Sequence, residues 1–207
     1  MKESERKRKF VVIPVAKLNE GIELCAGTIR QLAHDAYVLL DRTIPSVWSA
    51  LVLAIFAYEE LAKCAELTTK NDSAGREGEV KIDKRFFTDH VFKQNVAREI
   101  VGNAATELLP SGFDEAYFDS SYFDTKPMSV SHDLRVNCVF VSWRDDKWIS
   151  RPTAMSVDNV VRFLAAIELA LSDISGRSPS PFIFAVHPEF TAIRAMHIVG
   201  HQKKAYS

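Results

Sequence analysis

Residues 47–63 read VWSALVLAIFAYEELAK, an almost unbroken apolar run from Val47 to Tyr58 that ends in two glutamates and a lysine. Because apolar side chains would point to every side of a helix here, we expect this helix to lie at the centre of a bundle. The run is about a dozen residues long, whereas a membrane span needs roughly 20. The stretch therefore predicts a mainly α-helical protein with this helix in its core.

The composition of the 207-residue chain is that of an ordinary globular protein, with 47% apolar and 26% charged residues. A formal net charge of -1 gives no overall attraction to nucleic acid or membranes, so any RNA contact must come from a local patch. Cys25, Cys64 and Cys138 lack metal-like spacing, which predicts buried thiols in a reducing compartment. The first apolar run is too short for a signal peptide. We therefore expect a cytoplasmic protein.

Helical periodicity extends to both sides of the central segment. Pro45 or Ser46 is expected to open the central helix, and Ser156 to cap a later one. The polar residues 71–79 include two glycines, which predicts a loop. The predicted helices span about residues 18–41, 46–70, 83–109, 156–175 and 189–204.

Two segments have the composition of strands. Phe10 to Val15 is a short apolar run, suited to a strand or an extended arm, and Arg135 to Trp143 is followed after a turn by Trp148–Ile149. We thus expect a small β-hairpin insertion near residues 135–150. The predicted domains are a charged N-terminal arm (1–17), a helical bundle (18–176), and a linker with a C-terminal amphipathic helix packed on or near the bundle (177–207).

The two glutamates at the end of the apolar helix need partners, because burying an unpaired carboxylate is costly. Lys63 lies four residues after Glu59 in the favourable orientation, so we expect these two to form an ion pair. Glu60 then requires a cation from another helix. The third predicted helix offers three candidates, which are Arg85, His90 and Lys93.

His90 follows Phe87 by three residues on the apolar stripe of that predicted helix, so we expect its imidazole to face inward. One interpretation of the whole cluster is a buried ion-pair network that fixes the register of the bundle and carries no chemistry.

Four short motifs follow one another between about residues 18 and 175. They are Asp35-Ala36, then Ser49-Ala50 with Glu59-Glu60-Leu61-Ala62-Lys63, then Phe87-x-x-His90-x-x-Lys93, and finally Leu134-Arg135 before Val139-Phe140-Val141 with Pro152 downstream. Their order resembles that of AbiV-type abortive infection proteins. That family belongs to the higher-eukaryote and prokaryote nucleotide-binding (HEPN) superfamily, so the resemblance implies a HEPN-like antiparallel helical bundle.

The resemblance also implies a function in phage defence. Many HEPN proteins are dimeric, metal-independent ribonucleases, so we expect RNA as the substrate, a homodimer, no cofactor, no metal, and a phage or host protein as the trigger. Their usual signature is an arginine and a histidine separated by four to six residues. The arginine would hold the scissile phosphate bidentately, and the histidine would move a proton between the ribose 2′-hydroxyl and the leaving oxygen.

Two pairs in this chain fit that signature. Arg85 and His90 have four residues between them, and Arg194 and His201 have six. We prefer Arg85 and His90 as the catalytic pair, because His90 and Lys93 also match the AbiV-like pattern; Arg194 and His201 remain the alternative. The expected supporting residues are Glu59, Glu60, Lys63 and Lys93.

One residue departs from the superfamily pattern. HEPN ribonucleases often carry a polar residue directly after the arginine, whereas this chain has Phe86. The departure favours a second interpretation, a non-catalytic helical module that binds a phage or host protein and uses the Glu/Lys/His cluster only for stability. A di-metal carboxylate bundle does not fit, because the chain has no Glu-x-x-His motif.

Overall fold

The computed structural model describes residues 9–75, 78–108, 142–144, 147–149 and 157–176. A short 3-10 helix, Val15–Lys17, joins the first strand to the first helix. Helices make up most of the described chain, which confirms the predicted mainly α fold. The elements in chain order are β1 (Phe10–Pro14), α1 (Leu18–Leu40), α2 (Val47–Ser73), β2 (Glu79–Asp83), α3 (Arg85–Thr88), α4 (His90–Leu108), β3 (Ser142–Arg144), β4 (Lys147–Ile149) and α5 (Val157–Ser175).

Helix α2 is the centre of the bundle, as its sequence predicts. It packs against α1, α4 and α5. Leu51, Ile55 and Leu61 of α2 are fully buried, as are Ile29 of α1 and Leu164 of α5. Complete burial of one such side chain stabilises the fold by about 1.5–3 kcal/mol. The apolar run of α2 therefore supplies the surface on which the other helices assemble.

The boundaries of the first two helices lie close to the predicted ones. Helix α1 ends at Leu40, and the predicted break before α2 is present, with the Ser46 backbone N–H donating to the Leu39 carbonyl at 2.9 Å. Helix α2 runs to Ser73, so the predicted loop over 71–79 begins later than expected.

Of the two possibilities for the run near Phe10, a strand or an extended arm, the structure has a strand, β1. It pairs antiparallel with β2, a strand that was not predicted. The register places Phe10 opposite Asp83 and Val12 opposite Lys81. Ile82 of β2 is buried against the helices. The pairing therefore ties the chain that precedes α1 to the segment that leads into α3.

The predicted third helix over 83–109 is wrong in its first part. Strand β2 ends at Asp83, the single turn of α3 follows, and the backbone at Asp89 is extended (φ -114°, ψ 107°). Helix α4 begins only at His90. The Asp89 side chain accepts a hydrogen bond from the Phe92 backbone N–H at 3.0 Å, which is the contact of an N-cap residue.

This break changes which side chains face the core. Phe87 and Val91, placed on the predicted apolar stripe, are 39% and 46% exposed, whereas Phe86 is buried. From Gln94 onward the stripe is as expected, with Ala97 and Val101 buried. The change of direction at Asp89 shifts the helical phase between the two segments.

The remaining described elements agree with the predictions. Strands β3 and β4 form an antiparallel hairpin in which Trp143 pairs with Trp148, inside the predicted hairpin region. Helix α5 begins after Ser156, and Gly176 beyond its end has a left-handed φ of 62°. The predicted strand residues 135–141 and the predicted helix over 189–204 lie outside the described residues. Within the described ranges, none of the helices is apolar over a length that would cross a membrane.

Candidate functional site

The carboxylate of Glu59 is the centre of a polar network at the contact between α2 and α4. Glu59 is only 3% exposed. Its Oε2 lies 2.6 Å from Nδ1 of His90 and 3.5 Å from Nζ of Lys93. Its Oε1 accepts a hydrogen bond from Nε2 of Gln94 at 2.8 Å. Three side chains of one helix thus satisfy a carboxylate that would be costly to bury alone.

The start of α4 determines this arrangement. His90 is the first residue of the helix, and Lys93 and Gln94 follow at positions i+3 and i+4. Residues with these spacings share one face of an α-helix. The cap at Asp89 fixes where the helix begins, and so it fixes the face that these three residues present to Glu59.

Tyr58, the neighbour of Glu59, holds the same helices together from the core side. Its hydroxyl donates to the backbone carbonyl of Gln94 at 3.2 Å, and its ring packs against Phe163 of α5 at a centroid distance of 5.3 Å. Burial raises the pKa of the Tyr58 hydroxyl above its ordinary value. Gln94 therefore contacts both Tyr58 and Glu59, which locks α4 onto α2.

The His90 imidazole lies at the boundary between this network and the surface. Its side chain is 46% exposed, so the prediction that it faces inward is only partly right: Nδ1 reaches Glu59, but much of the ring is accessible. A carboxylate only accepts hydrogen bonds, so Nδ1 carries the proton of this contact. Nε2 is then the nitrogen that can exchange a proton with a substrate, an arrangement suited to general acid–base chemistry.

The predicted ion pair between Lys63 and Glu59 is wrong. Nζ of Lys63 instead lies 2.6 Å from Oε2 of Glu60, at a site where the two side chains are 20% and 18% exposed. Consecutive helix residues are rotated by about 100° relative to each other. Glu59 therefore faces α4, while Glu60 lies toward α1, where its charge helps to raise the pKa of the Cys25 thiol.

Two cysteines line this second polar group. Burial, helped by the charge of Glu60, raises the pKa of the Cys25 thiol to about 12 and that of Cys64 to about 11. Both are buried free thiols, as expected from the sequence; Cys138 lies outside the described residues. Thiols with raised pKa values are poor nucleophiles at neutral pH, so these two are structural.

Arg85 is held away from the glutamates. Its Nε and Nη2 donate to Oδ2 of Asp83 at 3.0 and 2.7 Å, and its guanidinium carbon lies 4.0 Å from the centroid of the Phe92 ring. These hydrogen bonds keep the pKa of Asp83 below its ordinary value and that of Arg85 above it. The side chain of Arg85 is 56% exposed. Lys63, not Arg85, is therefore the cation that pairs with Glu60.

Phe86 explains the departure from the superfamily pattern. Its ring is buried and meets the Phe92 ring edge-on, with centroids 4.9 Å apart and planes at 83°. A polar residue at this position would lose that packing. Phe86 is a core residue under the corner formed by α3 and α4.

The structure brings together five of the eight candidate residues and adds others. Glu59, His90 and Lys93 form one network, and Glu60 with Lys63 form the adjacent pair. Arg194 and His201 lie outside the described residues, so their role stays a prediction. Gln94 and Asp83 were not among the candidate site residues. Their spacing offered a signal, since Gln94 follows His90 by four residues and Asp83 precedes Arg85 by two.

Acidic, histidine and cysteine side chains are the usual protein ligands of metal ions. In the ranges that the structure describes, they nowhere form a group of three or more that could hold a metal ion.

Comparison with known proteins identifies the family. The family model HEPN_AbiV, described as AbiV, matches residues 17–169, well over half of the chain. No curated protein and no solved structure matches the chain. The matched range includes α1, α2, α4 and the Glu59–His90 network. The chain therefore belongs to the AbiV family of HEPN proteins, a membership that indicates a role in abortive infection.

Proposed function

We propose that this AbiV-family chain is an anti-phage, metal-independent endoribonuclease in which His90 transfers the proton. The observation that carries the proposal is the 2.6 Å contact between Nδ1 of His90 and the buried Oε2 of Glu59. It holds an exposed imidazole in one tautomer against a fixed negative charge. Buried carboxylates orient catalytic histidines in the same way in other hydrolytic sites.

The proposed reaction uses the nucleophile that RNA itself supplies. Nε2 of His90 accepts the proton of the ribose 2′-hydroxyl, whose oxygen attacks the adjacent phosphorus. The bond from phosphorus to the 5′-oxygen of the next nucleotide breaks, and the imidazolium returns the proton to that oxygen. The products are a 2′,3′-cyclic phosphate and a 5′-hydroxyl. General acid–base catalysis of this kind typically contributes about 10²- to 10⁴-fold in rate.

The charges around Glu59 suit this reaction. The carboxylate lies near the ammonium group of Lys93 and near the imidazole of His90, which becomes cationic when it accepts the proton. Lys93 balances the carboxylate, so the imidazolium formed during the reaction leaves the group with one net positive charge. A phosphate at the start of α4 would stabilise that charge, and Glu59 would stabilise the imidazolium itself.

Two further parts of the proposal come from the superfamily. The active form is a homodimer, which size-exclusion chromatography with light scattering would detect. A phage or host protein triggers activity during infection. We also propose a division of the chain into three units, which are the N-terminal arm over 1–17, the bundle over 18–176 and the C-terminal part over 177–207.

A second candidate function is a non-catalytic module that binds a phage or host protein. The observation that favours it is the position of Arg85, whose guanidinium already pairs with Asp83. An arginine engaged in this way cannot clamp a phosphate with the same nitrogens. Under this alternative the Glu59 network only stabilises the bundle.

A growth experiment distinguishes the two functions. Wild type and the variants His90→Ala, His201→Ala and His34→Ala are expressed under tight control, with and without phage infection, and growth and total RNA integrity are measured. His34 is an exposed histidine on α1 and serves as the matched control. We expect wild type and the His34 and His201 variants to degrade RNA and stop growth, and His90→Ala to do neither. Wild-type behaviour of His90→Ala would reject His90, and loss with His201→Ala would move the site there.

A further inference from the structure

We propose that Arg85, stacked on Phe92, is a platform for one unpaired nucleobase of the RNA substrate. The inference rests on the proposed ribonuclease function and gives Arg85 a role different from the phosphate clamp of the superfamily signature. It names the substrate class as single-stranded RNA. Base stacking on aromatic rings and on arginine planes is the common way in which proteins hold unpaired bases.

The guanidinium of Arg85 is fixed as a flat surface. One of its faces lies over the Phe92 ring, with 4.0 Å between the guanidinium carbon and the ring centroid. Its edge donates two hydrogen bonds to Asp83, and Asp83 also accepts the Arg85 backbone N–H at 2.9 Å. The side chain is nevertheless 56% exposed, so the face opposite Phe92 is accessible to solvent.

The support beneath this surface reaches into the core. Phe92 is partly buried and meets the buried Phe86 edge-on at 4.9 Å. Its backbone N–H is bound by the Asp89 cap. Phe86, Phe92 and Arg85 thus form three layers from the core to the surface. A nucleobase would add a fourth layer without requiring any of the three to move.

The platform lies in the same corner of the fold as His90. Arg85 belongs to α3, and Phe92 follows His90 by two residues in the first turn of α4. Two residues correspond to a rise of about 3 Å and a rotation of about 200° along a helix, so His90 and Phe92 leave the first turn of α4 on different sides. A strand that passes over the exposed start of α4 would contact the imidazole and the platform with different nucleotides. Exposed Phe87 and Val91 add apolar surface to this corner.

The hydrogen bonds to Asp83 favour a stacked ligand. They occupy the Nε–Nη2 edge of the guanidinium, one of the two edges with which arginine can hold a phosphate bidentately, and they place a carboxylate charge beside it. They leave the open face, which suits the π surface of any base. Paired bases in a duplex do not offer such a face, so the platform selects unpaired segments of RNA.

A binding experiment with abasic oligonucleotides tests the platform. Short single-stranded 2′-O-methyl RNAs, which cannot be cleaved, carry one abasic nucleotide moved stepwise along the strand. Their affinities for wild type, Arg85→Lys, Asp83→Asn and the control Lys17→Gln are measured by fluorescence anisotropy. Lysine keeps the charge of Arg85 but lacks its plane. Lys17 is an exposed cation paired with Glu20 and serves as the matched control.

For wild type and Lys17→Gln, we expect one abasic position to weaken binding about tenfold or more, the size of one stacked base. Arg85→Lys should bind the intact strand as weakly as wild type binds that abasic strand. The abasic nucleotide should not weaken binding by Arg85→Lys any further. Asp83→Asn should weaken the intact strand in the same direction. The platform is rejected if no abasic position weakens RNA binding by wild type. It is also rejected if the abasic nucleotide weakens binding by Arg85→Lys as much as it weakens binding by wild type. Tighter binding by Asp83→Asn would instead indicate that Asp83 keeps Arg85 from a phosphate.

The outcome is separable from that of the proposed function. If the protein binds RNA with an affinity that no abasic nucleotide changes, the platform is rejected and the proposal of catalysis by His90 is unaffected. An abasic penalty together with RNA cleavage that does not need His90 rejects the catalytic proposal and retains the platform. If folded wild type binds none of the strands, both are rejected.

Discussion

His90 and Glu59 lie 31 positions apart in the chain, yet Nδ1 of one is 2.6 Å from Oε2 of the other. The glutamate side chain is 3% exposed and the histidine side chain 46%. This single contact joins the core to the surface. It satisfies a buried carboxylate and orients an accessible imidazole, so its loss should affect stability and activity separately.

Glu59→Gln should destabilise the protein more than Glu60→Gln. The amide of the first variant meets the donors of His90 and Gln94 with one oxygen instead of two, which leaves a buried mismatch worth about 1–3 kcal/mol. Glu60 pairs with Lys63 nearer the surface, where such pairs contribute about 0–1 kcal/mol. Urea unfolding measures both free energies. An equal or larger cost at Glu60 would contradict the assigned contacts.

Removal of the cap at Asp89 should weaken α4 at its first turn. Asp89→Ala loses the hydrogen bond to the Phe92 backbone N–H, at a cost of about 0.5–2 kcal/mol. Asp89→Ser can still accept that bond and should retain most of the stability. Chemical denaturation of the two variants checks the prediction. If serine and alanine cost the same, α4 does not begin at His90.

Truncation of Phe86 should destabilise the protein far more than truncation of its neighbour Phe87. Phe86→Ala removes a buried ring packed on Phe92 and should cost about 3–5 kcal/mol. Phe87 is 39% exposed, so Phe87→Ala should cost far less. The pair is a matched test of the helical phase, read from unfolding free energies. The reverse order would support one continuous helix over 83–109.

Cys25 should make stability depend on alkaline pH. Its pKa is raised from 9.0 to about 12, so the folded protein keeps the thiol protonated at pH values where the unfolded chain ionises it. The stabilisation is complete below pH 9.0 and is lost as pH rises toward 12. Unfolding free energies measured across this range should fall more steeply for wild type than for Cys25→Ala. The pKa values of Cys64 and Tyr58 are also raised, but both groups are present in wild type and in Cys25→Ala, so their contributions cancel in the comparison. Parallel curves would contradict the prediction.

The central helix, and the need of the carboxylates at its end for polar partners, could be predicted from the sequence. An apolar run on every side of α2 requires neighbours on every side, and a carboxylate at its end requires donors. Both requirements follow from the residues alone. A cation from the next helix was expected for Glu60, whereas His90 and Lys93 of that helix contact Glu59 and leave Glu60 to Lys63.

The break before α4 could not be read in the same way. Phe86, Phe87, Val91 and Phe92 fit a helical period whether or not the chain bends at Asp89. An aspartate is favoured at an N-cap but also occurs at exposed positions inside helices, so Asp89 alone does not mark the break. Only the packing of Phe86 under Phe92 decides between them.

The ion pairs had the same ambiguity. Lys63 is four residues from Glu59 and three from Glu60, and both spacings bring side chains together on a helix. The choice depends on which glutamate His90 and Gln94 already bind, and these contacts come from another helix. The register between α2 and α4 is a property of the packed structure.

The most direct test of the central claim is the rate at which the purified, activated protein cleaves a labelled single-stranded RNA in the presence of EDTA. The rate is compared among wild type, Glu59→Gln and His90→Gln, each verified as folded by circular dichroism. We predict that wild type forms 2′,3′-cyclic phosphate ends, that His90→Gln is slower by about 10²- to 10⁴-fold, and that Glu59→Gln lies between them. Equal rates for wild type and His90→Gln would contradict the claim that the Glu59–His90 pair carries the chemistry.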